Sequence, residues 1–385
     1  MAVTLPILWM GYGTDIDVHD VLASGESIRR GDYMPSRPPG VPVFEAVVAA
    51  LDPVGGHLLV NLATAVAAAA AVVGVARLVR TWGHDNGDLV ALAVLASPIT
   101  IVAATSTVDF IWALTFLVWG AVVLRGDRTT LAGVLFALAI GTRLSSALLV
   151  ATVLVADGWD RERCRACLRT ALVIAPLAVL LYVPSWLAYD RSLDFLESAE
   201  GWRSVANNTG RFLYKSYITF GAIALVVLAV ATPALLGALR RWRTDPLLRL
   251  GVGGTVIAAG LYFVFPWKFA HLLPVLVMLL FWLATSSRNR RPFLVVMIAA
   301  LALNGVVTVR LLTPDKAAEA STGTWNPAIT LGILANDVAC RLDAMDEPVQ
   351  PLNWGTWACS LEPMRGDMPE PDLTDEDREG LGRER

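Results

Sequence analysis

Apolar runs of membrane-spanning length follow one another along this chain as far as Val309, and nothing else restricts its fold as strongly. A helix needs about 20 consecutive apolar residues to cross a bilayer, so these runs read as transmembrane helices. Composition agrees. The 385 residues are 55% hydrophobic and only 17% charged, where soluble domains carry about 25% charged residues. The net charge of -3 comes with no basic stripe outside short loops, which argues against a nucleic-acid partner. Residues 2–13 are apolar but short for a span. They lack a basic flank and a small-residue cleavage site, so they read as a short first helix rather than a signal peptide.

The arginines set the expected topology. Five clusters stand in short loops: Arg77 and Arg80; Arg125 and Arg128; Arg161, Arg163, Arg165 and Arg169; Arg240, Arg241, Arg243 and Arg249; Arg288, Arg290 and Arg291. Positive short loops mark the cytoplasmic side. Placing all five inside puts residues 15–55 outside and predicts helices near 56–79, 88–105 and 108–124. Further helices follow near 170–187, 218–239, 250–266, 272–286 and 293–311. The run 131–156 has one-helix length, yet both flanks are arginine-rich. Two short helices meeting at Gly141-Thr142-Arg143 satisfy both flanks, as a half-depth hairpin with Arg143 at its apex. An arginine at the centre of a lipid-facing helix costs roughly 2.5–3.5 kcal/mol, so Arg143 is expected to face protein or a polar cavity. The fold expected is an all-α polytopic membrane protein of about 11 transmembrane or half-depth helices. Residues 1–312 form the membrane domain, with long outer loops at 15–55 and 189–217. Residues 313–385 form a short outer tail, acidic and expected to be disordered at its end.

The first outer loop carries more chemistry than a connection requires, and long ordered loops tend to carry function. Asp15, Asp17 and Asp20 fall within six residues. A carboxylate at the membrane surface can deprotonate a hydroxyl, and the competing reading is helix capping. Residues 18–28 look helical and amphipathic. Arg37 sits in PSRPPG, where prolines hold an extended segment that presents one guanidinium to a phosphate or carboxylate. Its competing reading is a loop salt bridge to Asp32 or Glu45. Asp109 opens an otherwise apolar run, as an intramembrane acid or an interfacial helix cap. Lys268 and His271 flank Phe269 at aromatic-belt depth, where they can meet a lipid phosphate or, for Lys268, simply snorkel.

The cysteines form two pairs. Cys164 and Cys167 make a lone CxxC without the further ligands zinc requires. Cys340 and Cys359 lie together in the outer tail and are candidates for a disulfide. Asn207-Asn208-Thr209 is a glycosylation sequon in an outer loop. No Walker loop, dinucleotide fingerprint, HExxH or nucleophile elbow is present. A donor delivered from within the bilayer is the natural alternative.

This arrangement resembles the GT-C glycosyltransferases that use polyprenyl-phosphate sugars, which include protein O-mannosyltransferases and aminoarabinose transferases. In that family a catalytic Asp follows helix 1, then an amphipathic helix, a Gly-Asp-aromatic turn and a basic-Pro-Pro stretch. Here Asp17 is followed by VHDVLASGESIRR, Gly31-Asp32-Tyr33 and Arg37-Pro38-Pro39. An outer Asp between helices 3 and 4 matches Asp109. A Gly-x-Arg in short paired helices matches Arg143, and a basic-aromatic-Leu-Pro stretch matches Lys268 to Pro274. The resemblance covers roughly residues 1–310. It departs where the family has a second acid: Val18 stands there, with Asp15 ahead instead. Asp15-Ile16-Asp17 keeps a divalent metal at Asp15 and Asp17 open, although the lipid-monophosphate branch mostly works without a metal or other cofactor.

The resemblance implies an inverting hexosyltransferase in the cell membrane, with its active site facing the extracytoplasmic side. Its donor is a polyprenyl- or dolichyl-phosphate sugar, most commonly mannose. Its acceptor is a protein, glycan or lipid. Asp17, with Asp15 and Asp109, supplies the catalytic carboxylates. Arg37, Arg143, Lys268 and His271 supply the donor-phosphate contacts. The rival readings are a transporter or lipid flippase, in which Asp109 and Arg143 line a pathway, and an assembly factor that binds through its tail.

Overall fold

The computed structural model describes residues 2–15, 17–192, 204–266, 268–286, 290–313 and 324–343. The N-terminal run forms a 3-10 helix, Ala2–Trp9. Helix α1, Asp17–Arg30, is the amphipathic helix expected in the first loop, with Val18 and Val21 buried. Helix α2, Pro42–Thr81, is far longer than the span expected at 56–79. Gly55 and Gly56 break it where their backbones leave helical values. Residues before the break belong to the loop layer, and those after it form the span. Helices α3 (Gly87–Ala96) and α4 (Pro98–Ala104) replace the single helix expected over 88–105, bent by 72° at their junction. Pro98 lacks the amide that would continue α3 and holds Ser97 extended.

Helix α5 (Phe110–Arg125) follows, then α6 (Thr129–Thr142) and α7 (Ser146–Asp157). The last two are the expected short pair, with Arg143 in the break between them. Helix α8 spans Arg161–Ala188 and α9 spans Val205–Ala238. The latter begins 13 residues before the helix expected at 218, so much of the second long loop is helical. It carries a non-helical Gly221 at φ 76°, ψ 159°, a region essentially reserved for glycine. Asn304 stabilises that break by donating to the carbonyls of Ile218 and Thr219 at 2.8 and 3.2 Å. Helices α10 (Pro246–Val264), α11 (Leu273–Thr285) and α12 (Arg290–Val306) complete the bundle.

Among the described residues four helices are long and apolar enough to cross a membrane, and the bent α3–α4 pair, taken as one span, makes a fifth. Others, α5 to α7 among them, are shorter apolar helices. The final helix was expected to continue to 311. It stops at Val306, and strand β1 (Val307–Thr313) pairs antiparallel with β2 (Thr324–Leu331). The sequence there, Val306-Val307-Thr308-Val309, is β-branched throughout and favours the strand once helix packing ends. Helix α13, Ile333–Asp343, closes the described chain. The tail therefore opens with a two-stranded ribbon and a helix. Cys340 lies on α13 and is disulfide-bonded; Cys359, its expected partner, lies outside the described residues. Cys164 and Cys167 are free thiols.

Contacts gather the arginine clusters at one end of the bundle. Arg125 and Arg163 converge on the buried Asp157. Arg249 donates to Ala156 O, Arg241 pairs with Asp245, and Arg291 with Asp85. The acids and bases singled out in the sequence assemble at the opposite end.

Candidate active site

Four connections, carrying Asp15, Arg37, Asp109 and Lys268, and one helix break, carrying Arg143, build the candidate site. The first loop, residues 10–15, crosses the α4–α5 connection. Thr107 N–H donates to Tyr12 O at 2.7 Å, and a Cβ on Gly13 would meet Ser106 Cβ at 2.7 Å, so only glycine allows the crossing. Asn61 on α2 ties both strands of this crossing. Its amide donates to Gly11 O at 2.8 Å, and its carbonyl accepts from Thr107 Oγ1 at 3.0 Å. These contacts set Asp15 and Asp17 beside Asp109.

Asp15 and Asp17 differ in environment. Asp15 is fully buried. One of its oxygens accepts from Asp17 N–H at 3.0 Å, which caps the start of α1, and Lys268 Nζ lies 2.5 Å from the same oxygen. Asp17 is about one-fifth exposed and bridges two cations, Lys268 at 2.5 Å and Arg37. Asp17 is thus the accessible carboxylate, while Asp15 acts as cap and counter-ion. Asp20 is exposed on α1 outside these pairs, and burial of its carboxyl raises its pKa.

Arg37 is the hinge of the cluster. The salt bridge to Asp32 or Glu45 that its neighbourhood suggested does not form; Arg37 pairs instead with Asp17 and, at 3.1 Å, with Asp109. Glu45 has a different task. Wholly buried near the start of α2, it accepts from Tyr33 OH at 2.6 Å, Ser36 N–H at 2.8 Å and Ser36 Oγ at 2.6 Å. It thereby fixes the loop residue immediately before Arg37. Burial, reinforced by Glu45, pushes the Tyr33 phenol well above its ordinary value.

Asp109 precedes α5, yet its side chain makes no capping bond. Both of its oxygens accept from Arg143 Nη1, at 3.0 and 2.9 Å. Burial works to raise its pKa, but Arg143 and then Arg37 outweigh it and hold the carboxyl below the usual carboxylate range. Arg143 lies in the α6–α7 break and packs over the Phe110 ring at 4.0 Å. The arginine expected to face protein or a cavity does both.

Lys268 does not snorkel. Burial lowers its pKa against the opposing pull of Asp15. His271 is brought near the same cluster, beside Phe110 and Tyr262. Its ring packs on Phe110 at 5.4 Å and Tyr262 at 6.5 Å, and no acid pairs with it among the described residues. Arg143 and His271 line a cavity of about 210 Å³, whose remaining wall is mainly apolar: Leu114, Leu117, Leu149, Leu261, Met278. A few polar side chains in a mainly apolar slot suit an amphiphile with an anionic end.

The metal reading does not fit the donor set. Lys268 Nζ stands within 2.5 Å of both Asp15 and Asp17, where a divalent ion would need to sit. No group of three or more His, Cys, Asp or Glu suited to a metal occurs among the described residues.

Sequence reasoning missed Glu45 and Asn61, both buried polar residues in apolar helical runs. Buried polar residues of that kind are costly, and this was the available signal. It also missed Arg341 on α13, which reaches Thr105 and Ser106.

No family model matches this sequence, and no curated protein does. Two solved structures share its fold. ArnT from Cupriavidus metallidurans bound to undecaprenyl phosphate aligns with a TM-score of 0.58 at 15% identity, over 93% of this chain and 74% of that one. ArnT in the apo state aligns with a TM-score of 0.53 at 15% identity, over 79% of this chain and 58% of that one. The chain thus spans little more than half of the apo structure's length. The likeness establishes that this polytopic membrane protein shares the fold of ArnT.

Proposed function

We propose that this protein is a membrane glycosyltransferase. It transfers a hexose, with mannose the first sugar to test, from a polyprenyl-phosphate donor to a hydroxyl of a protein, glycan or lipid acceptor at the extracytoplasmic face. One observation carries this reading. Arg37 bridges the accessible Asp17 to the buried Asp109–Arg143 pair, and Arg143 in turn lines a mainly apolar cavity. The ArnT relative bound to undecaprenyl phosphate supports the class of donor.

The chemistry follows from the pairs. Without donor, the guanidinium of Arg37 is neutralised by Asp17 and Asp109. A donor phosphate placed beside Arg37 and Arg143 competes for those guanidiniums. As Arg37 turns to the phosphate, Asp17 is released from one partner and is free to meet the acceptor hydroxyl. Asp17 then takes the proton of the acceptor hydroxyl while its oxygen attacks the anomeric carbon. The bond to the phosphate oxygen breaks from the opposite side, and the electron pair leaves with the lipid phosphate. Attack opposite the leaving group inverts the anomeric centre. Arg37 and Arg143, with Lys268 nearby, stabilise the negative charge that grows on the departing phosphate, in surroundings of low dielectric. No resident metal has a part, because the ammonium of Lys268 takes the place between Asp15 and Asp17.

The test is transfer from labelled polyprenyl-phosphate mannose in membranes. Asp17→Asn should abolish transfer while the protein still inserts and folds. Transfer at the wild-type rate by that variant overturns the assignment. Lipid translocation without any transfer by the wild type favours a flippase instead.

A further inference from the structure

We infer that helix α13 of the C-terminal tail is a positioning element of the active site, clamping the two loops that present Asp15, Asp17 and Asp109. The inference rests on the reading of those acids given above. Arg341, on α13, is completely buried although it is a full-length arginine. Its Nη1 donates to Thr105 O at 3.0 Å and its Nη2 to Ser106 Oγ at 2.5 Å. Its Nε donates to Asp337 Oδ2 at 2.8 Å, one helical turn back. The other oxygen of Asp337 accepts from Thr14 Oγ1 at 2.7 Å. A single carboxylate–guanidinium pair on one helix therefore holds the residue before Asp15 and the residues that lead to Asp109. The same two loops cross at Gly13 and Ser106, so the clamp closes over their crossing.

The fold commits the chain to this seat. Gly332 lies so close to the end of α12 that a Cβ would fall 2.2 Å from Asn304 O, and its N–H donates to Val306 O at 2.8 Å. That approach turns the chain from β2 directly into α13. Leu334 packs where α12 Gly305 meets Pro98 at the start of α4. A buried arginine is tolerated only when its donors are met; here two of them are met by the site's own scaffold and a third by Asp337 on the same helix. Had α13 been only a cap on the ribbon, apolar packing would have sufficed. The polar contacts aim instead at the two loops that carry the acids.

The experiment uses the full chain purified in detergent, with undecaprenyl phosphate as the binding probe. Thr14→Val, Asp337→Asn and Arg341→Gln are compared with Thr14→Ser and Arg341→Lys. Hydrogen exchange over residues 11–15 and 104–109 reports the loops without reference to ligand. The first three variants should speed exchange in both loops and weaken binding of the probe, on the order of tenfold for Arg341→Gln. Thr14→Ser should restore wild-type behaviour and Arg341→Lys part of it. The Thr14→Val, Asp337→Asn double variant should be no worse than Asp337→Asn alone. Variants that lose thermal stability but bind the probe with wild-type affinity overturn the positioning role. A wild-type protein that does not bind the probe, while the variants still loosen both loops, overturns the donor reading instead.

Discussion

Replacing Asp109 by Asn tests the electrostatic centre of the site. The carboxylate is 4% exposed and receives Arg143 at 2.9 Å and Arg37 at 3.1 Å. Asn keeps the shape and removes the charge. Arg37 retains Asp17, but Arg143 keeps only the face of Phe110. Breaking a buried pair by removing one partner costs about 3–5 kcal/mol, chiefly because the other charge is stranded. A cation over an aromatic face returns about 0.5–2 kcal/mol. The side chain of Arg143 is itself 19% exposed, so some water reaches it and the low end applies. The expected loss is about 3 kcal/mol, or about 6 °C in unfolding midpoint on the scale of a large domain. The companion variant Arg143→Gln strands Asp109 less severely, since Arg37 remains. In the double variant no stranded cation is left, so its loss should fall below the sum of the two single losses by about 2 kcal/mol. Thermal unfolding of the four purified proteins in one detergent reads the cycle. Losses that add to within about 0.5 kcal/mol refute the coupling and with it the account of Arg143.

Acid unfolding gives an independent reading of the same carboxyl. Its folded value lies below the ordinary 3.8, so its contribution is present above that value and is lost as pH falls through the folded one. Wild type should thus lose stability over that acid range more steeply than Asp109→Asn, as equilibrium unfolding against pH will show. Glu45→Gln replaces one of two acceptor oxygens with a donor that faces Tyr33 OH or Ser36; it should cost about 1–3 kcal/mol and weaken undecaprenyl phosphate binding by loosening the Arg37 loop. Gly221→Ala forces a side chain into glycine-only backbone and within 2.5 Å of Asn304 Oδ1, for a loss of about 1–3 kcal/mol in thermal unfolding.

Much of this molecule was legible in the residue order. The arginine tally predicted five clusters on one side, and the contacts of Arg125, Arg163, Arg249 and Arg291 place them at one end. The half-depth pair with Arg143 at its break followed from the same count. Asp15, Asp17, Arg37, Asp109 and Lys268 were singled out from charge in apolar context, and they form one connected set. Helix limits were less legible. The apolar pattern does not distinguish one helix from two at Ser97-Pro98, nor reveal that α9 bends at Gly221 while staying helical on both sides. The roles within the set were also hidden. That Glu45 would hold Ser36 rather than Arg37, or that Lys268 would stand between two acids, depends on loop geometry that no periodicity encodes. Arg341 was the least accessible, because its partners lie more than 230 positions away.

The pairing of the site has a kinetic consequence. Asp15, Asp17 and Asp109 face Arg37, Arg143 and Lys268, so the six formal charges cancel before any donor arrives. A neutral patch casts little field beyond about one Debye length, which is about 8 Å at physiological salt. The headgroup of the proposed polyprenyl-phosphate donor is therefore not drawn in from a distance; it gains its contacts only after the prenyl chain has brought it laterally to the slot. Arrival rates should then be nearly indifferent to ionic strength, and selection among lipids should reside in how long each one stays.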